Sequence, residues 1–202
     1  DVERSRGLGD VYKRQDLVRC RPIGENKKDL LIAIDRSKGR KIILYSIIVS
    51  SMKVKNELMR YVDTFKHVKF LSRRERAIYF PKALRVIGVL VDTNVLLSVD
   101  VTNYLGVLLN RIEKIGNRVL IAITDDYLVN IVKSRLRESV VIAEGSLRRH
   151  RVTLESLGLK PSAMYVLLGI ADTLVAYTRV QVEDHGKRLR EVRSRLPLKW
   201  SL

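Results

Sequence analysis

Three short apolar runs in this chain each end on an aspartate, and that conjunction constrains its fold more than any other feature. Leu30–Asp35 reads Leu-Leu-Ile-Ala-Ile-Asp, while Val86–Asp92 and Val119–Asp125 repeat the arrangement, the last followed at once by Asp126. Apolar, β-branched runs of this length read as buried strands. A carboxylate at the end of such a strand is costly unless it is paired with a cation or shifts its pKa to become neutral. A fourth acid, Asp172, lies inside Met164–Tyr177, a helical stretch that is apolar on almost every side.

The surrounding sequence predicts how these runs are arranged. Ser37-Lys38-Gly39-Arg40 reads as a turn and Lys41–Ser50 as a second β-rich run, so the first two strands form a hairpin. Lys53–Phe65 carries Val54, Leu58, Met59, Val62 and Phe65 at helical spacing, and His67–Phe70 reads as a short strand. Ser72 with Glu75 makes a capping box for a helix over Arg73–Leu84, which Pro81 should kink or shorten. Arg85–Leu97 is strand-like, Asn103–Ile115 is an amphipathic helix stopped by Gly116-Asn117, and Arg118–Thr124 is a buried strand. Tyr127–Arg137 reads as a helix, Val140–Ala143 as a strand, and a long helix runs from Pro161 or Ser162 to about Val182. A hairpin followed by alternating βα units predicts an α/β fold, a mixed sheet flanked by helices. No apolar run approaches ~20 residues, so no membrane span is expected.

Residues 1–15 are set apart from the fold. Asp10-Val11-Tyr12-Lys13-Arg14-Gln15 resembles one reading frame of the transposon end used to prepare short-read sequencing libraries, and the segment reads as an assembly scar. One domain is then expected over 16–185, with 186–202 as a basic C-terminal tail. Cys20 is the only cysteine, which excludes an intramolecular disulfide and fits a reducing cytoplasm, and no Cys/His cluster has zinc spacing.

The charge balance speaks to partners. Thirty-nine Lys and Arg against 22 Asp and Glu give a net charge of +17, concentrated in Lys66–Arg76, in Lys133, Arg135 and Arg137, in Arg148–Arg151, and in Lys187–Lys199. A charge of this size and sign makes nucleic acid the expected partner, because neutralised phosphates release counterions. A solvated face is the plainer reading. Aromatic residues make up only 6%, so a stacking platform for single strands is not indicated. There is no glycine-rich phosphate loop. His67, His150 and His185 are scattered, with no acid or serine at a spacing useful for nucleophilic catalysis.

Each acid has a plain structural explanation. Asp35 can start the Arg36–Arg40 turn, Asp92 can cap the segment that opens with Thr93-Asn94, and Asp125-Asp126 form a natural N-cap pair for the next helix. Asp172 can be a core residue paired with an arginine. As an ordered set they say more: carboxylates converging from neighbouring strand ends are how proteins hold Mg²⁺ or Mn²⁺, and two such ions support phosphodiester cleavage.

That set resembles the ribonuclease H-like superfamily. The first Asp in a hairpin (Ile32-Ala33-Ile34-Asp35), the second ending a later strand (Val89-Leu90-Val91-Asp92) and a final helix with Ala171-Asp172-Thr173-Leu174-Val175-Ala176 match its order. The last segment is similar to the Ala-Asp-x-(Leu/Ile)-Ala pattern of resolvase-like and related uncharacterised families. The resemblance covers roughly residues 29–182. It implies metal-dependent phosphodiester hydrolysis, with Asp35, Asp92 and Asp172 as catalytic metal ligands; Asp125 is a further candidate metal ligand. Arg36 departs from the acidic residue that many members carry directly after the first Asp, and Glu57 is a candidate substitute. One alternative is the same scaffold as a catalytically degenerate binding or assembly module. A second resemblance, of Val89–Leu97 to the opening strand of PIN-type ribonucleases, would leave Asp35 and the first 80 residues unexplained.

Overall fold

The computed structural model describes residues 29–90, 93–98, 101–114 and 117–196. Asp92 and the segment 1–15 lie outside the described residues. Strands β1 (Asp29–Lys38) and β2 (Ile43–Ser51) form the expected hairpin, antiparallel with Asp35 opposite Ser46. A first short helix, α1 (Lys55–Leu58), and a long one, α2 (Arg73–Val89), precede the edge strand β3 (Thr93–Ser98), which pairs antiparallel with β2. Helix α3 (Val101–Lys114) leads to β4 (Arg118–Thr124), which lies parallel to β1, and α4 (Val129–Arg135) leads to β5 (Val140–Ala143), parallel to β4. The chain closes with α5 (Arg151–Ser156), α6 (Pro161–Glu183) and α7 (Leu189–Arg195). The sheet order is β3-β2-β1-β4-β5. It is a mixed sheet that begins with a hairpin and continues in βα units, as the sequence predicts.

The central strands are apolar on both faces because helices cover both. Leu31, Ala33, Ile48, Ile121, Ile123 and Ile142 pack with Met164, Leu167, Ile170, Ala171 and Leu174 of α6. On the other face Ile32, Ile34, Ile47 and Val49 meet Leu105, Leu108 and Ile112 of α3, together with Leu128 and Val132. Strands covered this way read as continuous apolar runs, without the alternation of a half-exposed sheet. Each fully buried Leu or Ile contributes about 1.5–3 kcal/mol, so β1, with five consecutive buried apolar residues over Leu30–Ile34, is anchored at the centre.

Several elements differ from expectation. The strand expected over Val86–Val91 differs in its described part: the chain through Val89 continues α2, and β3 spans Thr93–Ser98. Pro81 sits inside α2 without ending it, since Ala83 and Ile87, one turn apart, are buried beyond it. The Ser72/Glu75 capping box is present. The helix expected over Lys53–Phe65 is a series of short 3₁₀ and α turns ending at Tyr61. His67–Phe70 is a 3₁₀ turn (Val68–Phe70), not a strand; the edge of β2 is already paired with β3, and the Val68 N–H donates to the Asp172 carboxylate instead. Helix α6 is long and apolar enough, by length and composition, to cross a membrane, which no single apolar run announced; most of it is buried in the protein. Within the stretch read as a basic tail, α7 buries Val192, and Leu196 joins the core beneath α6. The PIN-type reading starts the sheet at Val89–Leu97, whereas here that region supplies an edge strand to a sheet centred on β1.

Candidate functional site

Side chains alternate along β1, so Asp35 shares the face of Leu31 and Ala33, the face covered by α6. On α6, Tyr165, Leu168, Gly169 and Asp172 fall at the i, i+3, i+4, i+7 positions of one helix face. The two elements enclose a pocket of about 130 Å³ whose lining includes Asp35, Lys66, His67, Glu144, Tyr165 and Asp172. Glu144 arrives there because it directly follows β5.

His67 organises the pocket. Its Nδ1 donates to Asp172 Oδ2 at 2.9 Å and its Nε2 to Glu144 Oε1 at 3.1 Å. The Val68 N–H donates to the same Asp172 oxygen at 2.9 Å. Hydrogen bonds to Asp172 and then to Glu144 raise the His67 pKa to about 10, against a smaller opposing effect of burial. Asp35, 8% exposed, has its pKa pushed up to about 8, first by burial and then by the negative charge of Asp172, with Asp125 and Glu144 adding to it; the Arg36 backbone N–H acts the other way. The segment bearing His67 is held on α6 from two sides. Lys66 N donates to the Tyr79 hydroxyl, which lies 2.7 Å from Thr173 Oγ1. Phe65 lies directly over Gly169, where a Cβ would come within 2.6 Å of the Phe65 Cβ.

Of the acids singled out from sequence, Asp35 and Asp172 line one pocket. Asp125 lies at the adjacent strand end but is otherwise engaged: its Oδ2 accepts from Arg36 Nε at 2.8 Å and its Oδ1 from the Tyr127 N–H at 3.0 Å, capping the turn Asp126–Leu128. The Arg36 guanidinium also sits 4.0 Å from the centre of the Tyr127 ring. Arg36, the departure from the family pattern, therefore has a structural partner. Glu57 is not among the residues that line the pocket. Glu144 and His67 were not singled out. Glu144 carries the same signature as the others, an acid directly after a short apolar strand, whereas nothing local marks His67, 105 residues from its Asp172 partner.

The donor chemistry of the pocket fits a hard divalent cation. Asp35, Glu144 and Asp172 offer carboxylate oxygens, and Asp35 is a buried carboxyl with no ion-pair partner among the described residues. Among the described residues no three His, Cys, Asp or Glu side chains already stand in ligating positions; His67 bridges Asp172 and Glu144.

No protein-family model matches this chain, and no curated protein matches it. Among solved structures it is similar to the ribonuclease H2 from Pyrococcus horikoshii OT3, at 19% sequence identity and a TM-score of 0.43, over 78% of this chain and 75% of that one.

Proposed function

We propose that this protein binds nucleic acid and hydrolyses its phosphodiester bonds with Mg²⁺ or Mn²⁺ held by Asp35 and Asp172. Asp92, assigned from the sequence resemblance, and Glu144 complete the ligand set in this reading. The observation that carries it is the unpaired, buried Asp35 carboxyl facing Asp172 and Glu144 across one pocket. Bound there, the cations would activate water and offset charge on the leaving oxygen. Lys66, on the pocket wall, offers a charge for the phosphate, and the His67 imidazolium keeps Asp172 and Glu144 apart and oriented until a cation competes for them. Asp125 stays with Arg36 and receives no ligand role.

One observation favours a second reading: His67 already supplies positive charge between Asp172 and Glu144, which would suit a binding module that does not cut.

Cleavage assays on labelled single-strand, duplex, hybrid and junction substrates, with Mg²⁺, Mn²⁺ or EDTA, decide between them. The nuclease reading expects divalent-dependent cleavage that Asp172→Asn abolishes while binding persists. If Asp172→Asn instead lowers the melting temperature by loosening the His67 bridge to Glu144 and leaves cleavage in place, Asp172 is structural and the assignment fails. Binding without cleavage under every condition selects the module.

A further inference from the structure

We propose that nucleic acid lies over one continuous basic strip built from residues 66–74 and 145–150, which meet at the pocket, and that the basic cluster at α4 stays outside the interface. The proposal rests on the nucleic-acid reading of the pocket and adds the surface that the partner occupies. The sequence offers several basic clusters of similar strength, and the fold separates them.

A side-chain contact joins the two segments. His67, at the start of the 3₁₀ turn Val68–Phe70, reaches Glu144 at 3.1 Å, and Glu144 opens the 3₁₀ turn Glu144–His150. Each turn is pinned from below by one buried apolar residue, Val68 in the first and Leu147 in the second. With three residues per 3₁₀ turn, Leu147 falls one turn on from Glu144 and packs in the core, while the next two residues, Arg148 and Arg149, face solvent. On the other segment Lys66 lines the pocket itself, and Lys69, Arg73 and Arg74 are exposed.

None of the cations Lys66, Lys69, Arg73, Arg74, Arg148 and Arg149 forms an ion pair among the described residues. Elsewhere arginines are taken up by acids: Arg36 by Asp125, Arg118 by Asp29, Arg151 by Glu155 and Arg179 by Glu183. No acid lies within 66–74 or 145–150. Glu75, the first beyond, is held to the Ser72 N–H at the start of α2. Exposed like charges with no internal partner, arrayed beside a pocket of carboxylates, match a chain of phosphates that they neutralise while the pocket receives one phosphodiester.

The cluster at α4, Lys133, Arg135 and Arg137, is equally exposed. Val132 and Leu136 beside it pack with α3 on the other face of the sheet, whereas the pocket and Leu147 belong to the α6 face. A helix on each side of the sheet, each ~10 Å across, sets the two surfaces about 20 Å apart or more, beyond the screening length of ~8 Å at physiological salt. Phosphates at the pocket therefore gain little from α4, although α4 adds to the same net charge.

The test is the salt dependence of binding by the full chain in EDTA, where no cleavage intervenes, to labelled single-strand, duplex and hybrid oligonucleotides. Each phosphate contact contributes ~0.7–0.9 to the slope of log affinity against log salt. Arg73→Gln with Arg74→Gln, and Arg148→Gln with Arg149→Gln, should each lower that slope by roughly 1.5–2 and weaken binding roughly tenfold or more. The same loss of two charges in Lys133→Gln with Arg135→Gln should leave slope and affinity at the parent values. The substituted side chains are all exposed, so melting temperatures should match the parent. An undiminished slope in either pocket-side pair, an equal loss in the α4 pair, or no binding at low salt would each overturn the proposal. Pocket-side loss in a protein that cuts nothing would leave this proposal standing and remove the nuclease reading, while divalent-dependent cleavage with binding insensitive to these pairs would do the reverse.

Discussion

Between Asp172 and Glu144 the His67 ring has a carboxylate at each nitrogen, and only the doubly protonated imidazolium can donate to both. Its proton is therefore held more tightly in the folded chain, with the pKa moving from 6.5 to about 10, and that of Asp35 moves from 3.8 to about 8. Both folded values lie above the unfolded ones. The stability each contributes is thus full below its unfolded pKa and lost as pH rises, through about 8 for Asp35 and about 10 for His67. In EDTA the melting temperature should fall between pH 5 and pH 9. Asp35→Asn should flatten the lower part of that fall and, at pH 8, exceed the parent by roughly 1 kcal/mol, within the usual range of single substitutions; a pH-independent melt in both proteins would contradict this electrostatic account. At this scale Asp35 and Asp172 were legible in sequence, because a carboxylate ending or interrupting an apolar run is conspicuous, whereas Glu144 was not singled out although it directly follows β5. His67 was not, since its role depends on two partners brought in from β5 and α6.

Among the elements, α6 does most to position the site. Its periodicity places Tyr165, Leu168, Gly169 and Asp172 on one face of the pocket, and that face can be read from the spacing alone. What lies against the face cannot. Gly169 admits Phe65, and Phe65 brings the Lys66-His67 segment onto the helix. Gly169→Ala should cost about 1–3 kcal/mol through overpacking and shift the His67 ring resonances as its bonds to Asp172 and Glu144 loosen. A variant as stable as the parent with unchanged His67 signals would show that Phe65 is not held there. The strands Arg118–Thr124 and Val140–Ala143 were legible to the residue, being short apolar runs bounded by polar ones. Residues 85–89 were misjudged for a definable reason: a short β-branched run does not distinguish a strand from a helix end, and the apolar contacts of Ala83 and Ile87 favoured the helix.

For the molecule as a whole, the +17 charge predicts binding dominated by phosphate contacts. With 6–10 such contacts, affinity for nucleic acid should drop by about 10³–10⁵ between 50 and 200 mM salt. Titrations at several salt concentrations check this, and a salt-insensitive affinity would dissociate the charge from the binding surface. The sequence by itself determined the fold class, since two apolar runs joined by a short turn at the start of the chain, followed by runs alternating with amphipathic helices, point to a hairpin and then βα units. It also determined that Asp35 and Asp172 sit in apolar surroundings, because burial is written in their neighbours. Only the tertiary structure decided that these two acids share a pocket, that Asp125 turns to Arg36, and that His67 and Glu144 complete the electrostatics. Local sequence encodes periodicity and burial, whereas the meeting of side chains a hundred residues apart is set by how the helices settle on the sheet.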